Sequence, residues 1–193
     1  RIGEPVTYTG AQYLREELLQ GNSRCWSKLY RRSLIGKLRF QRGLSIGEDM
    51  LFLTELLGYA RKVSEINYPG YGYYQNAKGA MNRPFTASYM DQITCWELAR
   101  DRILAIDSTL EAKVTAILIM GIMLTAGKLA MLPAADRRKH AQYIQICRDK
   151  LKQELQVSGA YELLSGGYRL KAKLFAAAPR LYLYGYHFRK YKD

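Results

Sequence analysis

The sequence feature that most constrains the fold is an apolar run from Val114 to Gly127. It is fourteen residues long and is interrupted by Lys128, whereas a helix needs roughly 20 apolar residues to span a bilayer. We therefore interpret this run as a buried core helix rather than as a membrane span. After Pro84 the sequence keeps a helical periodicity and gives no strand signal, which indicates a C-terminal half built from helices.

The N-terminal region, residues 1–83, combines helical and strand patterns. Thr9 and Gln12 have the spacing of a capping box, which predicts a helix start, and a second helix is predicted over 48–59. Alternating patterns predict two strands, over 61–68 and 71–74, separated by a turn at Pro69-Gly70. This region is predicted to be an α/β unit with few strands.

The C-terminal region, residues 84–193, is predicted to be α-helical, so the whole chain is mostly helical. The last helix begins at Pro179, and Leu181, Tyr184, Phe188 and Tyr191 fall on one stripe of it. Basic residues accompany the stripe, namely Arg180, Arg189, Lys190 and Lys192. Such a helix either lies at a membrane interface or packs its stripe on its own bundle. The remaining helices are predicted at 86–106, 110–131, 134–155 and 161–177.

The net charge of +13 favours an anionic partner, which is a nucleic acid, an acidic membrane surface or a phosphorylated substrate. The excess of positive charge is distributed almost evenly between the two halves of the chain. There are thirteen Lys/Arg against seven Asp/Glu up to Arg83, and seventeen against ten after it. No zinc-finger or RNP motif accompanies it, and we therefore expect no nucleic-acid binding.

The three cysteines lie far apart without a CxxC spacing, and neither histidine has a metal-ligand spacing. These patterns argue against a disulfide framework and a structural zinc site, and favour a reducing compartment such as the cytosol.

The acidic pair Glu48-Asp49 stands at the head of the predicted helix 48–59, directly after Gly47. Gly47 can supply a turn, and the first helical turn favours carboxylates because its N–H groups are free and the macrodipole is positive there. Helix initiation alone would account for this pair. The segments on either side of the pair suggest that it also has a functional role.

Three segments occur in a fixed order around this pair: Trp26-Ser27-Lys28-Leu29-Tyr30-Arg31-Arg32, then Phe40 to Asp49, then Pro69-x-Tyr71-x-Tyr73. Together they resemble the second half of the catalytic domain in bacterial family 2 glycosyltransferases, which build surface glycans. That family has a KLY-R segment, an ED motif at a helix start and a P-x-Y-x-Y strand. The resemblance covers roughly residues 8–82.

The resemblance implies a GT-A-type domain that transfers a sugar with inversion from a nucleotide-sugar donor to a glycan or lipid-linked acceptor. Asp49 would be the general base that takes the proton of the acceptor hydroxyl. Glu48, its motif neighbour, would be a helix N-terminal residue or an acceptor contact. The substrate-binding residues would be Trp26, Lys28, Arg31, Tyr71 and Tyr73.

The chain departs from the family pattern at Tyr74 and Gly79, where the family commonly has arginine and serine. It also has no Asp-x-Asp motif and no nucleotide-binding βα units. The expectation is a C-terminal fragment that is inactive alone. The resemblance implies Mn²⁺ or Mg²⁺ for a full-length enzyme, and we expect no metal on this fragment.

The expected location is the cytoplasm or the inner face of the cytoplasmic membrane, with residues 179–192 against an anionic surface. The rival interpretation is a non-enzymatic basic helical module that binds nucleic acid or an anionic membrane, and a scaffold role is a third.

Overall fold

The computed structural model describes residues 3–74, 76, 79 and 83–189, and the backbone of residues 190–192. Over these residues the fold is mostly helical with two short strands, which confirms the fold class expected from the sequence. The strands are β1 Val6–Tyr8 and β2 Val63–Glu65. The helices are α1 Gly10–Glu16, α2 Arg32–Ile35, α3 Glu48–Leu57, α4 Asp91–Ile106, α5 Glu111–Ala130, α6 Ala134–Lys139, α7 Ala141–Glu154, α8 Gly166–Ala177 and α9 Pro179–Lys192.

β1 and β2 form an antiparallel pair in which Val6 lies opposite Glu65 and Tyr8 lies opposite Val63. The predicted strand over 61–68 is therefore found at its centre, but its partner is β1. The second predicted strand, over 71–74, is wrong, because that segment has no regular structure. Gly72 weakens a strand there, and Tyr71 and Tyr73 both stack on Trp26 instead of extending the sheet.

The capping box at α1 is present as predicted. The Thr9 side chain accepts a hydrogen bond from Gln12 N, and Gln12 Oε1 accepts one from Thr9 N. Gly10 follows at a point of close approach, where its N–H donates to Ala60 O at 3.0 Å. A Cβ at Gly10 would lie 2.2 Å from Leu57 O, so only glycine lets α1 pack this closely against the end of α3.

The apolar run Val114–Gly127 lies inside α5, the central helix of the fold. Thirteen of the twenty residues of α5 are buried, and α4, α7, α8 and α9 all pack against it. The segment Ser108–Ala130 is long and apolar enough to cross a membrane, yet most of it is buried against these helices. The buried position of α5 agrees with its interpretation as a core helix.

A single hydrophobic core runs from Tyr13 in α1 to Leu183 in α9. α3 packs against α4 across the expected boundary between residues 83 and 84, and residues of both regions contribute to this core. The acidic pair at the head of α3 therefore stands on a helix that is packed into this core.

Several helix limits differ from the sequence expectation. The helix predicted over 134–155 is broken at His140, whose ring packs against Phe85 and Tyr143 with centroids 5.2 and 5.8 Å away. The helix predicted from residue 161 begins at Gly166, after a stretch of turns. α3 ends at Leu57 rather than at Tyr59.

Candidate functional site

The acidic pair lies in the first turn of α3, as its sequence position predicts. Gly47 precedes the helix with φ 94°, in the left-handed region that favours glycine. A Cβ at this position would lie 2.9 Å from Cys95 Cβ in α4. Glycine thus lets the head of α3 sit directly on α4, and it fixes where Glu48 and Asp49 emerge.

Asp49 is tied to the segment that precedes the KLY-R motif. Its Oδ2 accepts a hydrogen bond of 3.1 Å from the backbone N–H of Cys25, and the Cys25 thiol contacts Asp49 O at 3.5 Å. Burial, together with the charge of Asp49, raises the pKa of the Cys25 thiol to about 12. The Asp49 side chain remains partly exposed, and no Lys or Arg among the described residues forms an ion pair with it.

A cavity of about 620 Å³ lies beside this segment, and the two chain neighbours of Cys25, Arg24 and Trp26, line it. Its floor is apolar and comes from α3 and β2, with Leu53, Leu56, Leu57 and Val63. Segment 22–30 forms one wall, and residues that follow β2 form the other. An apolar floor with a few polar groups at the edge is typical of a small-molecule site.

Aromatic rings stack at one edge of the cavity. The Trp26 ring stacks on Tyr71 with centroids 5.2 Å apart and on Tyr73 with centroids 4.8 Å apart. The Arg24 guanidinium lies 5.6 Å from the centroid of the Trp26 ring, a cation–π distance. Three residues that the sequence predicts to bind substrate are therefore brought together, although 45 and 47 positions separate Trp26 from the two tyrosines.

Polar groups converge on the same cavity. Lys28 Nζ donates a hydrogen bond of 2.5 Å to Asn22 Oδ1, and burial lowers the pKa of Lys28. One carboxylate oxygen of Glu65, Oε2, is buried and has no hydrogen-bond partner in the described part of the chain. Such an oxygen can accept a hydrogen bond from a ligand hydroxyl.

Sequence reasoning did not select Glu65, Asn22 or Arg24. An acidic residue inside a predicted strand is a signal that could have selected Glu65, since glutamate is depleted in strands. No comparable signal marks Asn22 or Arg24.

Four of the seven predicted residues do not line the cavity, namely Arg31, Glu48, Asp49 and Tyr73. Arg31 is exposed and precedes α2. Glu48 faces α4, where its charge contributes, after burial, to a raised Cys95 pKa of about 12. Asp49 instead binds the amide of Cys25, whose chain neighbours Arg24 and Trp26 line the cavity.

The stretch from Leu18 to Gly47 is strongly basic. It carries seven Lys/Arg and no Asp/Glu, and six of the seven side chains are exposed. The exposed residues are Arg24, Arg31, Arg32, Lys37, Arg39 and Arg42. A one-sign surface beside a cavity attracts an anionic ligand.

The described residues do not fit a divalent-metal site. They contain no group of three or more His, Cys, Asp or Glu side chains that could hold a metal ion. One oxygen of Asp49 is, in addition, already engaged by the Cys25 amide.

Comparison of the chain with protein-family models, with curated proteins and with solved structures finds no match. The resemblance to family 2 glycosyltransferases therefore rests on the ordered segments between Trp26 and Tyr73.

Proposed function

We propose that residues 1–83 form the acceptor side of an inverting glycosyltransferase in which Asp49 is the general base. The observation that carries the proposal is the placement of Asp49. Its carboxylate is held by the Cys25 amide at the head of α3, one residue from the cavity edge formed by Trp26. The expected catalytic residue thus binds the residue that directly precedes Trp26, the ring on which Tyr71 and Tyr73 stack.

The Cys25 amide engages only one of the two Asp49 oxygens. The other, Oδ1, takes the proton of an acceptor hydroxyl that comes within about 2.6–3.2 Å of it. The hydroxyl oxygen forms the new bond to the anomeric carbon as the bond to the nucleotide breaks on the opposite face. The electron pair of the broken bond leaves with the nucleotide phosphate.

The cavity supplies the contacts that an acceptor glycan requires. Trp26 and Tyr71 present aromatic surface, and the tyrosine adds a hydroxyl. Lys28 donates hydrogen bonds, and Glu65 Oε2 accepts them. The basic stretch 18–47 fits an acceptor or donor that carries phosphate, because Arg and Lys bind phosphate through charge-assisted hydrogen bonds.

The test of the reaction is a transfer assay on the full-length protein with nucleotide sugars and lipid-linked acceptors. Asp49→Asn should lower kcat by about 10²–10⁴-fold, because a positioned general base contributes that much. Binding of the nucleotide sugar, measured by calorimetry, should stay near its wild-type value. Transfer at a wild-type rate would remove Asp49 from the mechanism.

Asp91→Asn is the matched control for this variant. Asp91 also lies in the first turn of its helix, and its Oδ2 accepts a hydrogen bond of 2.9 Å from Ser45 N. The substitution makes the same change of charge at a similar position without touching the cavity lining. Equal losses in both variants would mean that Asp49 acts through the structure alone.

Acceptor binding can be measured on this chain directly. The chain has two tryptophans, and Trp96 is buried. In a Trp96→Phe background, Trp26 is the only fluorophore of its kind, and its emission should change as an oligosaccharide acceptor is added. Tyr71→Ala should weaken this binding, whereas a titration without any change in emission would argue against an acceptor site here.

A further inference from the structure

Helix α9 packs on the bundle through one face. Tyr182 and Leu183 are buried, and the Tyr182 ring lies 5.1 Å from that of Phe175 in α8. Tyr186 packs over Gly127 in α5, where an added Cβ would lie 3.1 Å from the Tyr186 hydroxyl. These contacts use α5 and α8 as the support for α9.

Two hydrogen bonds fix the orientation of α9 about its own axis. Arg137 Nη1 donates to Leu183 O at 3.2 Å and also to Ala130 O, the last residue of α5. His187 Nδ1 donates to the same Ala130 O at 2.9 Å. Turning α9 about its axis would break these bonds, so its outer face is fixed towards solvent.

The outer face carries the apolar stripe that the sequence predicts. Leu181, Tyr184 and Phe188 are 60%, 66% and 52% exposed. Their spacing of three and four residues places them on one side of the helix. Of the two alternatives that the sequence left open, packing of the stripe on the bundle does not hold for these three residues, and the Tyr191 side chain lies outside the described residues.

The charge around this stripe has one sign. Residues 165–192 contain seven Lys/Arg and no Asp/Glu. Arg180 and Arg189 are both exposed. At 100° per residue they fall on opposite borders of the stripe. An apolar, tyrosine-containing stripe between two cations matches the boundary of an anionic bilayer, where rings sit among headgroups and cations meet phosphates.

We propose that α9 attaches the protein to an anionic lipid bilayer. Leu181, Tyr184 and Phe188 enter the headgroup region, and Arg180 and Arg189 contact lipid phosphates. The helix lies in the plane of the surface, because its opposite face is occupied by α5 and α8. The attachment is reversible and weakens with salt, since a large part of it is electrostatic.

The experiment is co-sedimentation of the full chain with vesicles of phosphatidylcholine alone and of phosphatidylcholine mixed with phosphatidylglycerol. We expect binding to the anionic vesicles and much weaker binding to the neutral ones. Arg180→Gln with Arg189→Gln should weaken anionic binding about 25-fold, at about fivefold for each cation near the surface. Equal binding to both vesicle types, or no binding, would overturn the proposal.

The apolar part is tested by Leu181→Gln, Tyr184→Gln and Phe188→Gln in one variant, which should weaken binding by at least about tenfold. Glutamine is a good helix former, so α9 should persist, and far-ultraviolet circular dichroism checks this. Tyr59→Gln is the matched control, because Tyr59 is also 66% exposed but follows α3. An equal loss in this control would overturn the assignment to α9.

A second pair of controls separates the location of the charge from its total. Arg61→Gln with Lys62→Gln removes two exposed cations elsewhere on the chain and should leave binding within about threefold of wild type. A loss as large as that of the Arg180 and Arg189 variant would show that binding depends on the net charge alone.

Sedimentation velocity tests the alternative that the stripe binds a second copy of the chain. A dimer that dissociates in the stripe variant, without vesicle binding, would overturn the proposal.

Discussion

The carboxylate of Asp49 accepts a hydrogen bond of 3.1 Å from the backbone amide of Cys25, a residue 24 positions earlier in the chain. This bond joins the head of α3 to the segment that carries Trp26. It orients the side chain that we propose as general base, and it fixes one edge of the cavity. The same bond therefore contributes both to the fold and to the site.

Asp49→Ala should lower the free energy of unfolding by about 1–2 kcal/mol, because it leaves the Cys25 amide without its acceptor. Asp49→Asn should lower it by less than about 1 kcal/mol, since the amide oxygen of asparagine can still accept this bond. Urea unfolding at equal m-values measures both. If the two variants lose the same amount, the bond to Cys25 N does not stabilise the fold.

The charge of Asp49 should also control the reactivity of Cys25. The pKa of this thiol is raised to about 12 by burial and by the nearby carboxylate, so little thiolate exists at pH 8. Asp49→Asn removes the negative charge, lowers the Cys25 pKa and therefore increases the thiolate fraction. Alkylation of Cys25 by iodoacetamide at pH 8 should accelerate by about threefold or more.

Peptide mass spectrometry follows each cysteine separately and supplies the control. Cys147 is fully buried, and this burial raises the pKa of its thiol to about 12. No carboxylate contributes to the raised pKa of Cys147. Its alkylation rate should not change in Asp49→Asn. A parallel acceleration at Cys147 would indicate loosening of the whole fold rather than a local electrostatic effect.

The parts of the fold that the sequence predicted depend on neighbours close in the chain. The capping box at Thr9 needs only a residue three positions on, and the start of α3 needs only Gly47 and the acidic pair. The core position of α5 follows from its own composition. Local chemistry decides each of these, so a single sequence was enough.

The parts that the sequence did not predict depend on residues far apart. β2 pairs with residues 6–8 rather than with 71–74, and no turn signal announces that pairing. The Cys25 amide that meets Asp49 is a backbone group, to which composition gives no clue. The stacking of Tyr71 and Tyr73 on Trp26 is likewise visible only after the chain has folded.

Glu65 should lower the stability of the fold and strengthen the binding of an oligosaccharide. Its buried Oε2 lacks a partner in the described part of the chain, and burying an unpaired polar atom is unfavourable. Glu65→Gln removes the charge and should leave the free energy of unfolding unchanged or raise it by up to about 1 kcal/mol. The same variant should weaken oligosaccharide binding, followed by Trp26 emission, by about tenfold, because a charged acceptor is lost.

Glu55→Gln is the control for Glu65→Gln. Glu55 lies in α3 outside the cavity lining and pairs with Arg102 at 3.3 Å. Its substitution should lower stability by at most about 1 kcal/mol and leave oligosaccharide binding unchanged. If Glu65→Gln and Glu55→Gln affect binding equally, Glu65 does not contact the ligand.

Gly47 should be the glycine on which the position of Asp49 depends. Gly47 and Gly43 both have positive φ, at 94° and 82°, so alanine is strained by about 1–2 kcal/mol at either position. They differ in space, because a Cβ at Gly47 would lie 2.9 Å from Cys95 Cβ, whereas nothing lies within 4 Å of one at Gly43. Gly43→Ala should therefore lower the free energy of unfolding by the strain alone. Gly47→Ala should lower it by about 1–3 kcal/mol more, since Cys95 is buried in α4 and its Cβ cannot rotate away.

The two alanine variants also separate stability from catalysis. Moving the head of α3 away from Cys95 displaces Asp49 relative to Cys25, so transfer by the full-length protein should fall in Gly47→Ala at temperatures where it is still folded. Gly43→Ala should retain transfer under the same conditions, because the strain at residue 43 does not reach the contact between α3 and α4. Equal stabilities and equal rates in the two variants would mean that the close packing at Gly47 does not position the acidic pair.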